Sequence, residues 1–253
     1  MSHANPTACI LVIGNEVLSG RTQDLNVKFL ATRLGDIGIP VREVRVIPDV
    51  PETIVAVLNE VRAKFDHVFT TGGIGPTHDD ITSECVAAAF GVPWEPHPEA
   101  WRRMEASYKP GEFNAARQRM ATMPRGAQLI NNEVSVAPGF TIGNVHVLAG
   151  VPRIMQVMFD WLAPSLQGGA PVRSRAVHVT GLPEGTIAAG LGAIQARYPA
   201  LDIGSYPYYR PGANGVAVVA KGTDATMAEA AILEVSELIA SLGCVSIPGE
   251  PDV

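Results

Sequence analysis

The chain has 253 residues, of which 47% are hydrophobic and 17% charged, with a net charge of −6. At roughly 100–200 residues per domain this allows one large domain or two modest ones, and it excludes disordered and collagen-like classes. A mildly acidic chain with no basic block is a poor holder of nucleic-acid phosphates, and no apolar run approaches the ~20 residues of a membrane span.

The amino-terminal two-thirds alternates strand and helix patterns. Ala8 to Ile13 is a short β-branched run closed by Gly14, the mark of a strand buried on both faces. Thr22 to Leu34 repeats Leu25, Phe29, Leu30 and Leu34 at helical spacing, with Gly35 and Gly38 marking its end. Val41 to Ile47 alternates as a strand with one wetter face. Pro51 opens a helix with a stripe of Ile54, Val57, Leu58 and Val61. His67 to Thr71 is the next strand and Ile81 to Phe90 the next helix, an order that implies a parallel sheet covered on both sides. Helices over Glu99 to Tyr108 and Asn114 to Met123 follow, then extended pieces at Gln128 to Ile130, Gly139 to Ile142 and Val145 to Leu148. Gly143-Asn144 is a hairpin signal, and Arg153 to Leu162 a returning helix. The segment 167–172 reads as a linker between a domain over 1–166 and a second over 173–253. The second shows strand Arg173 to Thr180, helix Glu184 to Tyr198, strands Asp202 to Tyr209 and Gly215 to Lys221, and helix Ala225 to Leu242. This βαββα order predicts a small α+β sheet.

The strongest chemical signal is the run Thr71-Gly72-Gly73-Ile74-Gly75-Pro76-Thr77-His78-Asp79-Asp80, followed by Glu84. It leaves a strand, passes a glycine-rich turn and enters a helix, the arrangement in which backbone N–H groups receive an anion. It is neither a P-loop nor a GxGxxG fingerprint. Asp79, Asp80 and Glu84 crowd negative charge beside this cradle, which calls for a bridging cation or a proton-handling residue; an Asp at a helix start also serves as a cap. A second loop, Gly14-Asn15-Glu16-Val17-Leu18-Ser19-Gly20, follows the first strand. Asp49 follows the second strand, and Pro138-Gly139 and Gly150 lie in turn-rich pieces that wall a pocket. Cys9, Cys85 and Cys244 form neither a disulfide framework nor a zinc knuckle, and Cys85 reads as a small core residue. The run Tyr206-Pro207-Tyr208-Tyr209-Arg210 fits a base-stacking surface, a subunit contact or an aromatic edge strand.

Ile13-Gly14-Asn15-Glu16 to Gly20, Thr71 to Glu84, and Ala137-Pro138-Gly139-Phe140 before Ala149-Gly150-Val151-Pro152 occur in one order over more than half the chain. In these motifs the chain resembles the molybdopterin-binding (MoaB/MogA-like) superfamily, and within it the amino-terminal domain of CinA-like proteins. Ala149 stands where that family has proline. The tail resembles the KH-type module that follows this domain, without a GxxG clamp, so RNA binding is not carried over. The resemblance implies a three-layer αβα sandwich with a mostly parallel sheet, and a cytoplasmic dimer or trimer. It implies a divalent metal (Mg or similar) on Asp49 and Asp80, and a nucleotide or pterin ligand held by Gly72, Gly73 and Gly75, with Asn15 and Ser19 on its remainder. The expected reaction is metal-dependent cleavage of an ADP-ribose- or FAD-like diphosphate, with Glu84 supporting. The alternative is a molybdopterin or nucleotide binding protein without hydrolytic activity. Because the chain stops at Val253, the deamidase domain of many CinA-like proteins is not expected.

Overall fold

A computed structural model describes residues 5–210 and 214–251. The chain divides into two compact units, Met1–Leu34 with Ile39–Gly169, and Gly35–Gly38 with Ala170–Val253.

The first unit is built on a six-stranded sheet in the order β2-β1-β3-β8-β7-β6. Its parallel part comprises β1 (Ala8–Ile13), β2 (Val41–Ile47), β3 (His67–Thr71) and β8 (Val145–Leu148). The other two strands, β7 (Gly139–Ile142) and β6 (Gln128–Ile130), run antiparallel beyond β8. All six residues of β1 are buried, as a strand covered on both faces requires. One face carries α3 (Pro51–Lys64) and α4 (Thr82–Phe90), whose Ile54, Leu58, Val61, Cys85 and Val86 pack with Cys9, Leu11, Val68 and Val147. On the other, Phe69 meets Phe159 of α7 (Pro152–Leu162), which packs edge-on against Phe29 of α2 (Asn26–Asp36). The result is the expected three-layer sandwich.

Three local expectations are corrected. The helix expected from Thr22 starts at Asn26, because the Asp24 carboxylate takes the Val27 N–H at 2.8 Å and so caps the helix from outside. It also continues through Gly35 to Asp36, and the left-handed residue is Gly38. A short helix, α1 (Asn15–Leu18), precedes it. The helix expected over Asn114 to Met123 is only α6 (Ala115–Arg119), capped by the Asn114 side chain on the Arg117 N–H. Thr122 to Pro124 instead forms β5, which pairs with β4 (Trp94–Pro96). These two strands and α5 (Pro98–Ser107) make an excursion at the edge of α4. On β2 the wetter face is the one with Arg42, Val44 and Val46, since Glu43 and Arg45 are half-buried in ion pairs with Lys64 and Glu60 of α3.

The second unit is a four-stranded antiparallel sheet, β10-β11-β9-β12. Its strands are β9 (Arg173–Thr180), β10 (Asp202–Tyr208), β11 (Gly215–Gly222) and the unforeseen β12 (Ile247–Pro248). Val177, Val179, Val216, Val218 and Ala220 form one sheet face packed against α8 (Glu184–Arg197) and α9 (Ala225–Ser241). The tyrosine run falls on the edge strand β10, with Tyr208 bonded to Thr180 and Val179, and Tyr209 exposed.

Candidate functional site

The site lies at the carboxyl ends of β1, β3 and β8. The chain leaves β1 to reach β2 on one side and returns through α3 to β3 on the other, so strand order reverses between β1 and β3. Open α/β sheets bind ligands at such a point. Here three backbones converge. A Cβ on Gly72 would overlap the Ile13 carbonyl oxygen, and one on Gly150 would sit 3.2 Å from the Gly72 Cα. Gly72 and Gly73 have φ of +99° and +69°. Both conditions demand glycine.

The loop after β3 keeps donors unspent. Gly72 N–H reaches the Leu148 carbonyl at 3.3 Å, but the N–H groups of Gly73, Ile74 and Gly75 meet no acceptor among the described residues. The Gly73 carbonyl instead holds the start of α4 by accepting the Thr82 N–H at 2.9 Å, and the Thr82 hydroxyl donates to the Gly72 carbonyl at 3.0 Å. After Pro76 the outer turn runs from Thr77 to Asp80, whose N–H reaches the Thr77 carbonyl at 3.2 Å. The Asp80 carboxylate folds back onto the loop, accepting the Thr77 N–H at 2.8 Å and also the Thr77 hydroxyl. It lies against Gly75, where a side chain would meet it. Asp80 thus shapes the cradle as well as charging it. His78 and Asp79 are solvent-exposed, and Glu84 stands exposed on α4.

The loop after β1 is arranged differently. The Asp49 carboxylate accepts the Asn15 N–H at 2.8 Å and so ties the two loops that follow β1 and β2. The Ser19 hydroxyl turns back to the Glu16 carbonyl at 3.2 Å, and Gly20 takes φ +71° in open space. Gly139 opens β7 as a buried residue, while Pro138 borders both a groove of about 320 Å³ near Asn132 and a narrow crevice under the glycine loop.

Two residues escaped the sequence reading. Asn26, buried at the start of α2, donates from Nδ2 to the Gly150 carbonyl at 2.8 Å and leaves Oδ1 without a partner. Arg119, at the end of α6, reaches the Asp80 carbonyl at 3.3 Å and lies over the Trp94 ring at 5.1 Å. Sequence periodicity carries no signal for either, because their partners are distant in the chain.

Among the described residues no three His, Cys, Asp or Glu side chains converge as metal ligands. Asp49 and Asp80 each already spend one carboxylate oxygen on a loop N–H, Asp49 on that of Asn15 across two loops and Asp80 on that of Thr77 within its own. That donor set does not make a zinc or calcium cage. Mg²⁺ asks less of a protein, since it keeps its waters and takes one or two carboxylates together with substrate phosphates.

The family model described as a probable molybdopterin binding domain matches residues 9–168. The chain belongs to that family. A second model, for the FAD synthase middle domain, matches residues 171–246. A protein of Pyrobaculum calidifontis is 37% identical over 212 residues, 80% of this chain and 81% of its own length. A CinA-like protein of Anaeromyxobacter dehalogenans is 38% identical over 164 residues, 61% of this chain and 40% of its own length. A crystal structure of the protein CinA with unknown function, from Thermoplasma acidophilum, has a TM-score of 0.61 at 29% identity, covering 64% of this chain and 99% of that one. The molybdopterin-binding domain of this chain is therefore CinA-like. Among the described residues no helix is long and apolar enough to cross a membrane.

Proposed function

We propose that the CinA-like domain binds a phosphate-bearing nucleotide or pterin at the carboxyl ends of β1 and β3, and that it cleaves an ADP-ribose- or FAD-like diphosphate. The observation that carries this reading is the row of unspent N–H groups on Gly73, Ile74 and Gly75 above a floor where side chains cannot stand. Such donors, aimed along a loop into a helix start, cost stability unless water or an anion takes them. The FAD synthase middle-domain match of the tail supports a nucleotide ligand.

In this reading the loop amides orient the diphosphate, and Thr77 holds Asp80 at the edge of the cradle. The remaining oxygens of Asp49 and Asp80 would hold Mg²⁺ arriving with the substrate, which when bound neutralises charge on the leaving phosphate. Asn15 and Ser19 line the adjoining loop, where the rest of the nucleotide would lie. Incubating purified protein with ADP-ribose or FAD and Mg²⁺, and measuring AMP, tests the proposal. AMP release that Asp80→Asn reduces about 100-fold is expected, the size of one lost transition-state group. Saturable binding by calorimetry without AMP gives the binding-protein alternative, and neither binding nor AMP overturns both.

A further inference from the structure

Residues 94–125, the β4–β5 excursion and the residue that follows it, contain five arginines, and four of them are committed. Arg102 and Arg103 donate to Glu99 at 2.7 and 2.6 Å, Arg125 to Glu95 at 2.8 Å, and Arg117 to the Glu112 carbonyl at 2.6 Å. Arg119 is the exception. Among the described residues its one hydrogen bond is the 3.3 Å contact to the Asp80 carbonyl, its Nε is buried without a partner, and its ion pair with Glu84 is loose at 3.9 Å. A guanidinium has five donors in a planar fork, so this one arrives at the glycine loop with most of them unspent.

It rests on a surface that is itself held in place. The Trp94 indole beneath it is fixed by its own N–H, shared between the Ser83 hydroxyl at 3.0 Å and the Thr122 carbonyl at 2.9 Å. Ile74, Gly75, Asp80, Ser83, Trp94 and Arg119 line one crevice, so Arg119 borders the same space as the glycine loop whose amides are unspent. The carboxylates of Asp79, Asp80 and Glu84 would repel an anion there, and a neighbouring cation offsets that repulsion.

We propose that Arg119 is a binding residue for the phosphate of a diphosphate ligand, taking it bidentately opposite the loop amides. The proposal rests on the anion-binding reading of the loop given above. The crevice has a volume of about 10 Å³, room for about one water. An entering phosphate therefore draws the guanidinium off the Asp80 carbonyl and shifts it over Trp94. Trp94 then becomes a built-in reporter.

The test is calorimetric titration of the protein with inorganic pyrophosphate and with ADP-ribose, each without and with Mg²⁺, alongside tryptophan emission. Arg119→Gln is expected to weaken both ligands about 30-fold or more, as loss of a charged hydrogen-bonded pair implies. Arg119→Lys falls in between, and Arg125→Gln, which breaks a surface pair on the same excursion, stays within about twofold. Pyrophosphate shifts the emission of the unmodified protein, and Trp94→Phe abolishes the shift. If Arg119→Gln binds as tightly as the unmodified protein, the assignment of Arg119 is overturned while the loop reading stands. If the unmodified protein binds neither ligand, both fall. Should Arg119→Gln fail to fold, an emission unchanged at saturating pyrophosphate overturns the assignment on its own.

Discussion

The two ends of β3 are opposites. At the amino end, His67 stacks on His146 with Nδ1 and Nε2 3.1 Å apart, and His146 Nδ1 meets the Thr141 hydroxyl at 3.0 Å. The His67 N–H reaches the Thr7 carbonyl, and Thr7 N–H binds Asp66 at 2.7 Å. Burial pushes the His146 imidazole down to about 3 and His67 below its ordinary range, so both are neutral in the folded protein. At the carboxyl end, five residues later, backbone donors are left open and carboxylates are exposed. One strand thus separates a hydrogen-bonded polar cluster from one with donors left open. Free hydrogen-bonding capacity, more than charge or exposure, distinguishes the end where we propose the site.

The contrast can be broken most strongly at Gly72. Gly72→Ala adds a methyl against the Ile13 carbonyl at a left-handed φ. It should cost about 3 kcal/mol or more in urea unfolding, from conformational strain and overpacking together. Gly20→Ala, left-handed but in open space, should cost about 1 kcal/mol. Equal costs would mean the strand ends can move apart.

Acid attacks the other end. A histidine whose folded pKa is depressed contributes stability that is full above its unfolded pKa near 6.5 and declines as pH falls towards the folded value near 3. Unfolding free energy should therefore drop between pH 6.5 and 4 by about 1.4 kcal/mol per pH unit for His146. His146→Gln should flatten that slope by about one proton, and an unchanged slope would move the acid sensitivity elsewhere.

A subtler comparison sets Asp80 against Asp49. Asp80→Ala removes both Thr77 bonds that shape the cradle, and Asp49→Ala removes a single bond to Asn15. Each should cost about 1 kcal/mol of stability, but Asp80→Ala should weaken pyrophosphate binding far more, as calorimetry would show. The smallest effect concerns thiols. Burial raises Cys9 and Cys85 to about 11, so only the half-buried Cys244 should react with a thiol reagent at pH 8 while the protein is folded.

Much of this architecture is legible because punctuation and periodicity agree. Gly14, Pro51 and Gly91 sit at boundaries that the apolar patterns already mark. The glycine loop is legible because its composition makes sense only as close backbone approach. What escapes is long-range or short. The β4–β5 pair has three residues per strand, with Pro96 and Pro124 in it, too few for alternation to register. Arg119 looks like any surface arginine of a polar helix until the excursion folds it onto Asp80, 39 residues back. Asn26 reads as one more residue of an amphipathic segment, since its partner lies beyond seven intervening strands.

That carboxamide has a consequence for biosynthesis. Asn26 and Gly150 are separated by 124 positions, yet their bond fastens the underside of the ligand platform. A nascent chain can order its first strands early, but it cannot shut this clasp until nearly the whole amino-terminal unit has left the ribosome. Contacts of such sequence separation form late because loop closure must come first. The convergence of the strand ends is therefore completed late, and truncated products of the unit emerge without this bond.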